Sequence, residues 1–294
     1  MNKVSRVSSL RAAVLAARKD KKTIGFVPTM GNLHEGHLKL VEIAKQHTDF
    51  VVVSIYVNPT QFGAHEDLSN YPSTPEQDAR LLAEQGADLL FLPEQETMYP
   101  GDLELQTVVY VPKIGDLYCG KDRPEHFYGV TTVVSRLFNM VQPDVAVFGK
   151  KDYQQLAIIR RMVEDLAYPI QVVGVDTVRA KTGLALSSRN GYLDDKQLSN
   201  AATLQQTLQD MAEKLKVNSA VISKQALKDL EDDAKSDLVK VGFTPQYVTV
   251  CRQYDLMPAK KGDEKLVILA AAQIGKARLI DNLEVELDEQ LNCK

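Results

Sequence analysis

From residue 23 onward, short and uniformly apolar β-branched runs alternate with longer helical patterns, and this alternation narrows the possible folds more than any other feature of the chain. Residues 23–28, 35–47 and 50–57 read as strand, helix and strand, a βαβ unit. The pattern continues with a helix from about Thr74, a strand at 88–93, a helix at 129–142, a strand at 144–149, a helix at 152–167 and a strand at 170–175. Strands with no polar face are buried on both sides, so the expected architecture is α/β, a parallel sheet covered by helices. Such sheets bind ligands at the carboxyl ends of their strands.

Near Asp176 the character changes. A polar, hairpin-like stretch at 180–191 is followed by amphipathic helical patterns at 195–215 and 220–241, and then by strand-like runs at 247–252, 265–272 and 277–282. The expected division is 1–176 for the sheet domain and 177–294 for a smaller α+β domain. With 294 residues and 44% hydrophobic content, there is enough apolar material for two cores.

The balance of 35 Lys and Arg against 39 Asp and Glu, net −4, supplies no basic field for nucleic acid. The longest apolar run, Leu266 to Ala272, is far short of the ~20 residues that cross a bilayer. Lys3, Arg6 and Arg11 break up the N-terminal stretch that a secretory signal would need, so the expected location is cytoplasmic, with no membrane partner. Cys119, Cys251 and Cys293 have no Cys-x-x-Cys spacing and read as reduced, structural thiols.

Four segments carry candidate chemistry. Pro28-Thr29-Met30-Gly31-Asn32-Leu33-His34-Glu35-Gly36-His37 lies between the first strand of the βαβ unit and its helix. Helix-start amides attract phosphate, and two histidines three apart can face one oxygen. The same pair also reads as ordinary helix-start histidines. Zinc is disfavoured, because His-Glu-Gly-His lacks the His-Glu-x-x-His spacing. Asn58-Pro59-Thr60-Gln61 places an amide at the same sheet edge, suited to hydroxyls and carboxylates or simply to solvent. Gly149-Lys150-Lys151-Asp152 with Gln155 offers point charges for a triphosphate, while Asp152 suits a ribose, a metal ion or a plain N-cap. Leu186-Ser187-Ser188-Arg189-Asn190 offers hydroxyls beside a guanidinium.

Taken in order, these four segments resemble the pantoate–β-alanine ligases. Arg123-Pro124-x-His126-Phe127-x-Gly129-Val130 and Ala277-Arg278-Leu279-Ile280-Asp281-Asn282 extend the resemblance over nearly the whole chain. It implies a Rossmann-like doubly wound sheet of the HIGH-type nucleotidylyl transferase superfamily, with the C-terminal domain closing over the site. It also implies that ATP and pantoate form pantoyl adenylate and pyrophosphate, and that the amine of β-alanine then displaces AMP to give pantothenate. Carried over position by position, ATP would meet Met30, Gly31, Asn32, Leu33, His34, Glu35, Gly36, His37, Gly149, Lys150, Lys151, Asp152, Val178, Leu186, Ser187, Ser188 and Arg189. Gln61 and Gln155 would hold pantoate, and Gln61 also β-alanine. His37, as a proton-donating imidazolium, would act with His34, Lys151, Ser187, Ser188 and Arg189 on the departing pyrophosphate. Mg²⁺ is expected to travel with the nucleotide, with no dedicated protein ligands, and the assembly is expected to be a homodimer.

Ser73, where the family often has Arg, and Glu125, where Gly is common, depart from the pattern beside the core motifs. The main rival is a nucleotidyltransferase that stops at pyrophosphate release. A tRNA synthetase is disfavoured by the acidic balance, and a non-catalytic nucleotide-binding regulator would need only the phosphate cradle.

Overall fold

A computed structural model describes residues 1–63, 68–217 and 223–287. Cys293, and the start of the helical pattern expected from Ala220, lie outside the described residues. In chain order the regular elements are β1 (Asn2–Val4), α1 (Val7–Lys19), β2 (Ile24–Thr29), α2 (Glu35–His47), β3 (Phe50–Ile55), α3 (Pro75–Glu84), β4 (Leu89–Phe91), α4 (Gln95–Met98), α5 (Cys119–Asp122), α6 (His126–Val141), β5 (Val145–Gly149), α7 (Tyr153–Asp165), β6 (Gln171–Val175), α8 (Asp195–Ala201), α9 (Thr203–Val217), α10 (Lys224–Lys240), β7 (Thr244–Arg252), β8 (Lys265–Ile274) and β9 (Ala277–Glu286). The chain divides into two compact units. Met1–Lys150 with Gln155–Asp176 forms the first, and Lys151–Gln154 with the chain from Thr177 forms the second.

The first unit is built on a six-stranded sheet in the order β1-β4-β3-β2-β5-β6, and every pair in it is parallel. Alternation along β2 explains why both faces are apolar. Val27 joins Leu40, Val41, Ala44, Ala79 and Leu82 of α2 and α3 in one core, whereas the Phe26 ring meets Phe138 of α6 edge-on at 6.4 Å. From β2 the chain moves outward through β3 to β4, and later through β5 to β6 on the other side. The strand order therefore reverses between β2 and β5, and this switch point is where an open α/β sheet binds its ligand.

The second unit has a three-stranded antiparallel sheet, β7-β8-β9, with its own core. Leu204, Leu208, Met211 and Leu215 of α9 pack there with Leu227 and Leu238 of α10 and with Leu266, Ile268 and Ala270 of β8. Among the described residues no helix is long and apolar enough to cross a membrane.

Several sequence expectations are corrected. β1 and α1 had no counterpart in the reading, and β3 stops at Ile55, short of Val57. The helix expected from Gly129 begins at His126, and α7 begins at Tyr153 after a 3₁₀ turn, Lys150–Asp152. The single helix expected over 195–215 is broken at Ala202 into α8 and α9. Ala201 and Leu204 are both buried in one core, so the apolar spacing runs on across the break. Such a pattern reports burial, not continuity of a helix axis.

Candidate active site

The turn after β2 is held by its own side chains and by a carboxylate from α3. His34 is the N-cap of α2, and its Nδ1 accepts the Gly36 N–H at 3.2 Å. His37 Nδ1 accepts the His34 N–H at 3.3 Å, so two imidazoles form a capping box. Gly36 is required because a Cβ there would sit 2.9 Å from His34 Cε1. The two rings lie 4.1 Å apart, centroid to centroid. Nδ1 of each ring thus faces a backbone amide of the same turn.

Just before the helix, the Asp78 carboxylate of α3 accepts the N–H groups of Asn32 and Leu33, both at 2.9 Å, and the Thr74 hydroxyl at 3.0 Å. Asp78 is 1% exposed. The Gly31 N–H reaches Thr29 Oγ1, and the His37 N–H bonds the His34 carbonyl. The sequence reading had these amides facing phosphate, but the geometry turns those of Gly31, Asn32, Leu33, His34, Gly36 and His37 inward. Glu35 is exposed at the first helical position, where its charge favours the helix N-terminus.

Gln61 ends a 3₁₀ turn, Pro59–Gln61, beyond β3, and is nearly buried. Its orientation is fixed from behind. Asn58 Nδ2 donates to Gln61 Oε1 and to the Gly129 carbonyl, both at 3.1 Å, and Asn58 Oδ1 accepts the Tyr99 hydroxyl at 2.9 Å. Tyr99 is held under Arg136, whose guanidinium carbon lies 5.0 Å from its ring centre. Burial raises the Tyr99 pKa, against the opposing pull of Thr60, Arg136 and Asn58, and this keeps the hydroxyl a donor. The Gln61 carbonyl accepts from His126 Nδ1 at 2.9 Å and from Arg123 at 3.2 Å. Gly129 lets α6 approach this turn, since a Cβ there would lie 2.1 Å from the Thr60 carbonyl oxygen. The 123–130 motif therefore grips the Gln61 backbone. The sequence shows that motif only as a mark of resemblance, assigns Asn58 no role of its own, and gives no sign of Tyr99 or Asp78.

Gly149 ends β5, Lys150 opens the 3₁₀ turn after it, and Gln155 lies half-buried in the first turn of α7. Lys150 Nζ pairs with Asp176 at 2.9 Å. The first unit thus places Met30 to His37, Gln61, Gly149, Lys150 and Gln155 at the carboxyl ends of the adjacent strands β3, β2 and β5.

The other candidates belong to the second unit. Asn282 Nδ2 donates to the Lys151 carbonyl at 2.9 Å, and the Tyr153 hydroxyl donates to Glu284 at 2.9 Å, so β9 braces the turn that carries Lys151 and the exposed Asp152. Val178 and Leu186 face each other across a short hairpin, the Leu186 N–H donating to the Val178 carbonyl at 3.0 Å. Arg179 in that hairpin grips the buried Asp281 carboxylate through two bonds, of 2.7 and 2.8 Å. The motif ending Asp281-Asn282 therefore supports both segments. Ser187 Oγ caps a 3₁₀ helix, Ser188–Tyr192, by accepting the Arg189 N–H at 3.3 Å, and Ser188 and Arg189 follow it half-buried.

Three buried side-chain polar atoms among the described residues have no hydrogen-bond partner: Ser54 Oγ, Tyr56 Oη and Asn190 Oδ1. The first lies on β3 and the second one residue beyond it, on the way to Gln61, and the third lies in the Ser-Ser-Arg-Asn loop. Orphaned polar atoms call for a functional explanation, and these fall beside candidate segments. Among the described residues, no three His, Cys, Asp or Glu side chains assemble as a metal-ligand set.

Comparison with known proteins bears on the whole chain. The sequence profile described as "Pantoate-beta-alanine ligase" matches residues 2–284. A pantothenate synthetase from Pseudomonas aeruginosa is 51% identical over 288 residues, covering 98% of this chain and 100% of that protein. The crystal structure of a Thermus thermophilus pantothenate synthetase superposes with a TM-score of 0.88 at 45% identity, over 97% of this chain and 100% of that one. A Francisella tularensis pantoate-beta-alanine ligase, complexed with beta-gamma ATP and beta-alanine, has a TM-score of 0.77 at 32% identity and covers 96% of this chain and 97% of that one.

Proposed function

The chain belongs to the pantoate–β-alanine ligase family and is a ligase, and from that premise we propose that it condenses (R)-pantoate with β-alanine at the expense of ATP. The products are pantothenate, AMP and pyrophosphate, a step of pantothenate and hence coenzyme A biosynthesis. The pantoate carboxylate attacks the α-phosphorus, pyrophosphate leaves, and the β-alanine amine then attacks the acyl carbon and expels AMP. Activation is needed because a carboxylate is a poor electrophile, and a mixed anhydride supplies the leaving group.

The observation that carries this reading is the paired imidazole cap at the switch point. With Nδ1 of each ring set against a backbone amide, His34 and His37 are oriented to meet phosphate oxygens. His37 keeps the proton-donating role that the family resemblance implies. Preorganised donors of this kind stabilise charge as it develops on the departing pyrophosphate. Lys151, Ser187, Ser188 and Arg189 supply the positive charge and hydroxyls for the triphosphate. Met30 to Leu33, Gly149, Lys150, Asp152, Val178 and Leu186 line the nucleotide, with Lys150 drawn from Asp176. Gln61, its Oε1 engaged by Asn58, offers its Nε2–H₂ to pantoate together with Gln155, and later to β-alanine.

Mg²⁺, bound with the nucleotide, would neutralise phosphate charge. Asp152, exposed just before α7, is a carboxylate that would suit the ion or the ribose. The assembly is a cytoplasmic homodimer, as the family resemblance implies, and sedimentation tests the dimer.

The deciding experiment supplies ATP, Mg²⁺ and pantoate with carboxylate oxygen-18, with and without β-alanine. Pyrophosphate is released without the amine, and label appears in AMP once β-alanine is added. Label confined to pantothenate, or ADP and phosphate as products, overturns the adenylate route.

A further inference from the structure

Tyr56 lies one residue beyond β3, with its backbone N–H bonded to the Thr29 carbonyl at 3.0 Å. That bond fixes it at the root of the histidine turn, two residues before Asn58. Its side chain is 9% exposed, and the hydroxyl is buried with no hydrogen-bond partner among the described residues. The nearest polar network is already committed. The Tyr99 ring is 6.3 Å away, but the Tyr99 hydroxyl gives its proton to Asn58, and the Asn58 amide is spent on Gln61 and Gly129. Burial, with a smaller contribution from Tyr99, pushes the Tyr56 hydroxyl well above the usual tyrosine pKa, so it is a neutral donor and acceptor.

A phenylalanine would fill the same space without the cost of drying a hydroxyl. The hydroxyl therefore has a use that packing does not supply. Ser54, whose Oγ is also unpartnered, is fully buried within β3, whereas Tyr56 stands just beyond the strand's carboxyl end, in the segment that leads to Gln61. The acid's carboxylate must face the α-phosphorus to react, which leaves its alcohol groups to be read by the pocket.

We propose that the Tyr56 hydroxyl is a specificity-determining group of the acid pocket and hydrogen-bonds one alcohol hydroxyl of the hydroxy acid beside Gln61. This rests on the ligase reading above and extends it to a residue that the family motifs do not include.

The test is Tyr56→Phe, assayed with pantoate and with its 2-deoxy and 4-deoxy analogues. The KM for pantoate rises about three- to tenfold, the scale of one neutral hydrogen bond, while kcat and the KM for ATP stay within about twofold. One of the two deoxy analogues loses the same factor with the wild-type enzyme and no further factor with Tyr56→Phe. The ligand-free variant melts at the same temperature or higher, because an unsatisfied buried hydroxyl has been removed. An unchanged pantoate KM, loss shared equally with ATP, independent losses for both analogues, or a lowered melting temperature each overturns the inference. Failure of the wild-type enzyme to form AMP from pantoate would instead overturn the ligase reading.

Discussion

Two segments carry most of the candidate chemistry, and they are built in opposite ways. The 28–37 turn of the first unit satisfies its backbone almost completely: Asp78 from α3 takes two amides, and two imidazoles cap α2. The 186–190 loop of the second unit rests on a 3.3 Å Ser187 cap, an Asn190 N–H to the Ser187 carbonyl at 3.0 Å and an Asn190 side-chain bond to Ala185, and it leaves Asn190 Oδ1 buried and unpaired. The difference separates a turn whose amides are already taken from a loop that keeps one buried acceptor unpaired. Preorganisation of the first kind lowers the reorganisation needed at the moment of reaction, while an unfinished network of the second kind gains most from a ligand.

The largest expected effect breaks the preformed side. Replacing His37 with Ala lowers pantoate-dependent pyrophosphate release about 10² to 10⁴ fold, read in single-turnover assays. A loss of less than tenfold would remove the imidazole from the chemistry. Next, Asp78→Ala strands the Asn32 and Leu33 amides and the Thr74 hydroxyl, and lowers stability by about 2 to 5 kcal/mol. Asp78→Asn, which keeps one acceptor, falls between. Equal melting curves for the three proteins would show that the turn stands without its anchor.

Hydrogen exchange then sharpens the contrast. In the ligand-free protein the Asn32 and Leu33 amides exchange slowly and the Arg189 amide faster. Adding ATP and pantoate slows the Arg189 amide about tenfold or more and leaves the other two nearly unchanged. Equal protection of both segments would erase the distinction.

The smallest effect is a control at the opposite ends of β2 and β3, where Asp49 accepts the Thr23 N–H and hydroxyl. The Thr23 amide first, then its hydroxyl, holds the Asp49 carboxyl below its usual pKa. Its contribution is therefore present above about pH 4, the ordinary carboxylate value, and is lost as pH falls through the lowered one. Asp49→Asn slightly lowers the melting temperature at pH 7 and flattens its acid dependence, with turnover unaffected.

The parallel sheet was legible because Val51, Val52 and Val53 leave no polar face, and the site's position followed from the strand that precedes His34 and His37. The inward bonding of the turn was not. Asp78 comes from another helix, and its one trace in the sequence is an acid four residues before buried Leu82 on the apolar face of α3. The grip on Gln61 by Arg123 and His126 spans more than sixty residues, a distance that local pattern does not report. β1 escaped because three residues, two of them exposed, carry too little periodicity.

That same strand bears on how the chain acquires its shape during synthesis. β1 precedes every other described element, yet it lies at the sheet's margin, with Asn2 aligned to Leu89 and Val4 to Phe91 of β4. β2 and β3 can pair as soon as the intervening helix has been made. The leading strand has to wait until its partner leaves the ribosome. Residues 2–4 thus close the sheet on that side late, and a bulky fusion ahead of them would obstruct the finishing of a fold whose centre is already in place.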